Sequence, residues 1–211
     1  MMTDDLDLVI AWQGGDGGAG ERLIERHLES VHRFFSNKVR VGTEDLVQQT
    51  FLACMESVAS FEGRASFRAY LFGIARNVLY GHFRNELRGF DPLTSSSGAG
   101  LAQSQTPADV VAEAEEQRLL LAALRTLPLE LQTLVELAYW EGLSDGELAD
   151  ALDVPIGTIK SRLRKARQTL DETLPKLAKA GERLDTTRRT LASWAARVRG
   201  DHEIAGGRGR R

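Results

Sequence analysis

The sequence predicts an all-α chain of two small helical domains joined by a flexible linker, the C-terminal domain containing a helix-turn-helix. Three observations carry that expectation. Apolar residues recur at three- and four-residue spacing with no alternating strand pattern and no internal repeat. Residues 89–112 contain eleven Gly, Ser, Thr or Pro among 24, with no sustained apolar period. Beyond them, a helix start signal at Ser144, a turn at Asp153-Val154-Pro155 and a second apolar repeat follow in close succession. The expected units are residues 1–88, a linker at 89–112, residues 113–175, and a basic extension at 176–211.

In the first unit, Leu23, His27, Leu28, Val31, Phe34 and Phe35 fall on one helical stripe, and Val47, Thr50, Phe51, Cys54 and Val58 on another. Thr43 ahead of Glu44 and Asp45 reads as an N-cap with acids in the first turn. Gly14-Gly-Asp-Gly-Gly18 reads as a turn between helices; without the Lys and Ser or Thr of a phosphate loop it gives no nucleotide site. Phe61 to Ser66 form a short loop ending in an N-cap serine, and a helix is expected over 67–88. Its inner face is Phe67, Tyr70, Leu71, Ile74, Ala75, Val78, Leu79 and Phe83. Its other face presents Asn77, Gly81, Arg84 and Arg88, flanked by Arg68 and Arg76, which suits a nucleic-acid backbone or is a solvated basic surface. Aromatics at 61, 67, 70, 72 and 80 border loop and helix; flat rings stack on unpaired bases, though most are expected in the core.

The linker, as a flexible coil, would hold its ends on the order of 25 to 30 Å apart, enough for two separated sites. After it, Leu120, Ala123, Leu124 and Leu127 stop at Pro128, and Leu131, Leu134, Val135 and Ala138 begin a helix that Gly142 ends. Ser144-Asp-Gly-Glu147 is a capping box opening a short helix whose inner face is Leu148, Ala149 and Leu152. Asp153, in the place of the turn glycine, tolerates the left-handed conformation. Ile159, Leu163, Ala166 and Leu170 then repeat along a longer helix whose free face carries Thr158, Ser161, Arg162 and Lys165 toward its N-terminal half. That half of such a helix enters the DNA major groove, where arginine bonds guanine O6 and N7 while lysines and hydroxyls hold phosphates. Beyond it, Leu184, Arg188, Leu191, Trp194, Ala195 and Val198 keep helical spacing ahead of a basic tail.

The 211 residues carry 27 Lys and Arg against 30 Asp and Glu, a formal net charge of -3. Opposite blocks cancel in that total. Residues 109–153 hold eleven acids against Arg118 and Arg125, and residues 154–170 hold five bases and no acid. Residues 31–90 carry eight bases against five acids. Such asymmetry points to a polyanion met by chosen faces, although a single block is also what a solvated helix surface shows. At 42% hydrophobic and 27% charged, the composition excludes a disordered polymer. No apolar run is long enough to span a bilayer, and Asp4, Asp5 and Asp7 stand where a secretory signal places bases, so a cytoplasmic protein without membrane insertion is expected. One cysteine, Cys54, reads as a small core residue; no internal disulfide is possible. His27 and His32 lie five apart on different helix faces, and neither a metal nor a cofactor is expected. With no paired-carboxylate or nucleophile pattern, there are no catalytic residues and the chain does not read as an enzyme.

Four segments together resemble the bacterial RNA polymerase sigma factors of the extracytoplasmic-function (ECF) group. They are Glu44-Asp-Leu-Val-Gln-Gln-Thr-Phe-Leu52, Ser66-Phe-Arg-Ala-Tyr-Leu-Phe-Gly-Ile-Ala-Arg-Asn77, Gly142-Leu-Ser-Asp-Gly-Glu-Leu-Ala149 and Val154-Pro-Ile-Gly-Thr-Ile-Lys-Ser-Arg162. The resemblance implies promoter-specific transcription initiation within a polymerase holoenzyme, with core RNA polymerase, promoter DNA and an anti-sigma factor as partners. It places Asp45, Leu46, Gln48 and Gln49 on the polymerase-gripping helix. It places Arg64, Ser66, Arg68, Arg76, Asn77, Arg84 and Arg88 at the reader of the downstream, minus-ten element, where a base is extruded from the stack. Thr158, Lys160, Ser161, Arg162, Arg164 and Lys165 fall on the reader of the upstream, minus-thirty-five element. Tyr70, Gly73 and Gly81 depart from the usual Trp, base and Asp of such proteins. The alternative is a stand-alone helix-turn-helix regulator whose N-terminal helical domain dimerises or senses a ligand; it would bind duplex operators without polymerase.

Overall fold

A computed structural model describes residues 4–86, 91–93, 95 and 111–177. In chain order the helices are α1 (Asp5–Gln13), α2 (Gly17–Ser36), α3 (Thr43–Ser57), α4 (Phe67–Glu86), α5 (Val111–Thr126), α6 (Leu129–Tyr139), α7 (Asp145–Leu152) and α8 (Ile156–Leu177), with a single 3₁₀ turn at Val58–Ser60. Arg88, most of the expected linker, and all of the basic extension past Leu177 lie outside the described residues.

The first bundle buries Leu23, Val31, Phe34 and Phe35 of α2 against Val47, Phe51 and Cys54 of α3 and Leu71, Phe72, Ala75 and Leu79 of α4. Helix α1 closes it from the side with Leu8 and Val9. The glycine-rich run at 14–18 is a turn, in which Asp16 caps α2 by accepting the Ala19 amide at 3.2 Å. His27 is buried, and its Nε2 meets Asp5 Oδ2 at 2.7 Å, tying α2 to the first turn of α1. The N-cap of α3 is Gly42 and not Thr43, which is already helical. The chain enters α3 at φ 85, a left-handed conformation that glycine adopts without a Cβ penalty and a β-branched threonine does not. Ser66 caps α4 as expected, accepting the Ala69 amide at 3.2 Å.

In the second bundle, Leu120, Ala123, Leu124 and Leu127 pack on Leu131 and Val135 of α6 and on Ala166, Leu170 and Leu174 of α8. The capping box at Ser144 and Glu147 forms with both bonds present, and Asp153 makes the turn at φ 53. Helix α5 starts at Val111, inside the span expected as linker. The linker's first residues are docked: the carbonyls of Ser95 and Pro92 accept the amides of Leu129 and Glu130 at 2.8 and 2.9 Å, satisfying donors at the start of α6 that the helix itself leaves open.

The two bundles lie directly against each other, which the sequence reading did not foresee. All residues of α6 from Leu129 to Leu137 are buried, because one side faces α5 and α8 while the other joins the first bundle's core with Leu134 and Leu137. Helix α7 lies along α4, its Leu148, Ala151 and Leu152 continuous with that core. The approach is close at one glycine: a Cβ on Gly73 would stand 3.3 Å from the Ala151 carbonyl oxygen.

Candidate nucleic-acid interface

The outward face of α4 carries Asn77 and Arg84 exposed to solvent, with Arg68 and Arg76 half-buried beside them. A cleft of about 400 Å³ opens between this face, the 60–65 loop and α7. Its aromatic wall is Phe61 and Tyr70, ring centroids 4.9 Å apart, and its polar lining includes Arg64, Arg76 and Asn77 on one side and Asp150 and Asp153 on the other. The Tyr70 hydroxyl meets Ser57 Oγ at 2.5 Å, which fixes the ring; burial pushes this phenol upward, so it stays neutral. Phe67 and Phe72 are core residues, which separates them from the two rings that line the cleft.

Among the basic groups expected to read the downstream element, Arg64 and Arg84 are exposed, Arg64 pairing only with its neighbour Glu62 at 2.6 Å. Others are engaged across the seam. Arg68 donates to the Glu141 carbonyl at 2.6 Å, Arg76 donates to the Leu152 carbonyl, and Ser66 Oγ donates to Glu147 Oε1 at 2.5 Å. Burial alone would raise Glu147, but the hydrogen bonds from Ser66 and Ser144 and the charge of Arg68 hold its carboxyl below the usual range.

On α8, Lys160, Ser161, Arg164 and Lys165 are exposed and Thr158 is half-buried near the helix start. Inner residues Ile159, Leu163 and Ala166 are buried, so this basic face projects from the bundle. Ser161 Oγ donates to the Thr158 carbonyl at 2.9 Å. Arg162 is held by the Glu130 carboxylate of α6 and is mostly buried, unlike its basic neighbours.

On α3, Asp45, Gln48 and Gln49 are exposed. Leu46 is 3% exposed and belongs to the core, so it is not available to a partner as the resemblance implied; the turn of about 100° per residue carries it from the exposed side at Asp45 to the inward side of the helix. The same face that shows Asp45 and Gln48 also shows Leu52 and Met55, each 53% exposed. Sequence reasoning missed both. Leu52 four residues after Gln48, and Met55 three after Leu52, keep the spacing of one helix face and were the signal that could have found them.

No group of His, Cys, Asp and Glu among the described residues is arranged to hold a metal ion, and none of the described helices is long and apolar enough to cross a membrane. Two helical bundles, one with an aromatic-walled cleft beside a basic helix face and one with a helix-turn-helix presenting a basic helix, define a two-domain promoter-recognition protein. Residues 23–89 match the family described as Sigma-70 region 2, and residues 117–170 match Sigma-70, region 4. The chain is 28% identical over 182 residues to the ECF RNA polymerase sigma-E factor of Haemophilus influenzae, covering 82% of this chain and 96% of that one. It is 28% identical over 179 residues to the Escherichia coli protein of the same description, covering 81% and 93%. Among solved structures it is similar to the sigma factor RpoE bound to the anti-sigma factor NepR from Bartonella quintana (TM-score 0.58, 27% identity, 75% of this chain and 98% of that one). CnrH in complex with the cytosolic domain of CnrY shares the fold (TM-score 0.58, 23% identity, 82% and 97%). The chain belongs to the ECF sigma factors of bacterial RNA polymerase.

Proposed function

We propose that residues 1–88 bind core polymerase and read and melt the minus-ten element, that 113–175 read the minus-thirty-five element, and that the chain directs promoter-specific initiation while adding no chemistry of its own. The observation that carries this assignment is the pairing of the cleft beside α4 with the basic face of α8 in one chain. The α3 stripe of Asp45, Gln48, Leu52 and Met55, with Gln49 beside it, suits a protein partner: polar groups for register and two exposed apolar side chains that lose water on contact.

At the downstream element, Phe61 and Tyr70 offer a surface on which an extruded base stacks, while Arg64, Asn77 and Arg84 meet the strand's phosphates. Ser66, Arg68 and Arg76 join that surface when freed from the second bundle, and Arg88 is assigned to the same element. At the upstream element, Lys160, Arg164 and Lys165 contact phosphates, Thr158 and Ser161 fix register, and Arg162 reads a base once Glu130 releases it. An anti-sigma factor is expected as a further partner, as in the structural relative bound to NepR, and the chain is expected to act in the cytoplasm, where polymerase is.

The test is size-exclusion chromatography of the chain with core polymerase, followed by transcription on genomic fragments. Co-elution and new start sites that disappear with Arg162→Ala are expected. Tight duplex binding by the chain alone, without polymerase association, would overturn the assignment. Leu52→Glu should abolish co-elution while leaving the fold intact.

A further inference from the structure

We propose that α1 is the support of the base-reading loop, and that Gln13 at its C-terminal end is the positioning residue that aims Phe61 into the cleft. This role rests on the promoter-recognition reading above and falls to residues ahead of position 23, where the match to Sigma-70 region 2 begins. Gln13 Nε2 donates to the Val58 carbonyl at 2.7 Å and to the Phe61 carbonyl at 2.8 Å, across 45 and 48 positions of chain. Both partners are acceptors, so only the NH2 end of the amide fits there. The Val58 carbonyl also accepts the Phe61 amide at 3.0 Å, which closes the 3₁₀ turn. The glutamine therefore ties the two ends of that turn together and fixes the backbone from which the Phe61 ring projects. That ring stands edge-on to Phe67, centroids 6.2 Å apart, and 4.9 Å from the ring of Tyr70.

Such a residue acts only from a rigid mount, and α1 has one. Trp12 lies against α2 where Gly20 has no side chain; a Cβ there would stand 2.6 Å from Trp12 Cε2. Just past Gln13 the chain turns back into α2, with the Gly14 amide donating to the Ile10 carbonyl and the Asp16 amide to the Ala11 carbonyl, both at 3.0 Å. At the other end of α1, Asp5 holds His27, whose ring packs on Phe67 with centroids 5.6 Å apart. Between these ends Leu6 reaches the loop itself: its Cδ1 lies 3.5 Å from where a Cβ on Gly63 would stand, and Gly63 takes a left-handed φ of 70. Helix α1 thus holds the loop directly at Phe61 and Gly63, and steadies Phe67 beneath it through His27. A loop ordered before the base arrives does not draw its ordering entropy from the binding free energy.

The test uses holoenzyme reconstituted from core polymerase and the full chain. Its probe is a fluorescein-labelled single strand carrying the downstream element of a promoter fragment that the holoenzyme transcribes, with binding followed by anisotropy. Gln13→Glu keeps the shape of the side chain but sets an acceptor against two carbonyls, and should weaken strand binding about tenfold. Gln13→Lys can donate to both carbonyls and should stay within about twofold of the unaltered chain. A double-mutant cycle separates aiming from mere structural support: in a Phe61→Ala background, with no ring left to aim, Gln13→Glu should change affinity by less than about twofold. Co-elution with core polymerase and binding of the upstream duplex should be the same in every variant. Equal loss from Gln13→Glu in both backgrounds, no loss in either, or loss of its co-elution with polymerase would overturn the role of Gln13 while leaving the promoter reading in place. Failure of the unaltered chain to co-elute with core polymerase would overturn that reading and this role with it.

Discussion

Lys38 is the residue whose environment departs furthest from what its chemistry favours. Its ammonium is fully buried, and burial pushes its pKa down while the Glu136 charge pulls it back. Replacing only the lysine leaves a buried carboxylate unpaired; Lys38→Met should therefore lower unfolding stability by about 3 kcal/mol, and adding Glu136→Leu should recover most of it. Denaturant titrations of the two variants check this, and equal loss in both would show that the pair itself stabilises the fold. Cys54 is the opposite case. Its place on the α3 stripe already marked it as core, and burial pushes its thiol up to about 12, so at neutral pH a thiol reagent should label it only as fast as the protein unfolds. His27 was placed on the correct stripe, but its bond to Asp5 was not legible, because the partner arrives from another helix.

Helices whose ends are set by neighbouring residues were read well. The capping box of α7 needs only Ser144 and Glu147 at the right spacing, and the αL turn at Asp153 needs only a residue that tolerates it. Ser144→Ala should cost about 1 kcal/mol, measured by thermal unfolding. Gly81 weakens α4 as its propensity implies; a Cβ there meets open space, so Gly81→Ala should raise stability by about 1 kcal/mol in the same assay. The start of α3 was misplaced by one residue because Thr43 has the chemistry of a cap, whereas the chain enters the helix through a positive φ at Gly42, which glycine takes without a Cβ penalty. Helix α6 shows the limit of pattern reading. Its Leu131, Leu134 and Val135 were recognised, but the burial that reaches Glu130, Gln132, Thr133 and Glu136 as well goes with the first bundle covering its other side.

Across the whole molecule, the charge blocks acquire a second meaning. The basic run of the first bundle was read as a face for a polyanion, and the acidic run before the turn helix as a block that cancels it in the net charge. Part of each is now seen to be the other's partner, through Arg33, Lys38 and Arg68 on one side and Glu136 and Glu141 on the other. The Glu147 carboxyl, bonded to Ser66, spans the same seam, and the Asp5 carboxyl ties α1 to α2. At Asp5, burial alone would raise the pKa, but the bonds and charges of His27 and Arg26 hold it low. Both carboxyls therefore titrate below their ordinary values of 3.8 and 4.5, and the stability they contribute is complete above those values and lost as pH falls through the lowered ones. Thermal stability attributable to these groups should be level from neutral pH down to about 5 and fall steeply below about 4.5. A decline already complete at pH 5 would contradict the low values.

The sequence by itself determined the helices, their inner faces, the helix-turn-helix and the family, because these depend on spacing along the chain and on caps built from residues a few positions apart. Only the tertiary structure decided that the two bundles meet, that Leu46 turns inward while Leu52 and Met55 stay out, and that Arg68, Arg76 and Arg162 are occupied by oxygens of this same chain. Such contacts join residues from 32 to 108 positions apart. They depend on how closely α7 can approach Gly73 and on which charges lose water together, and neither quantity is written in the period of any one helix.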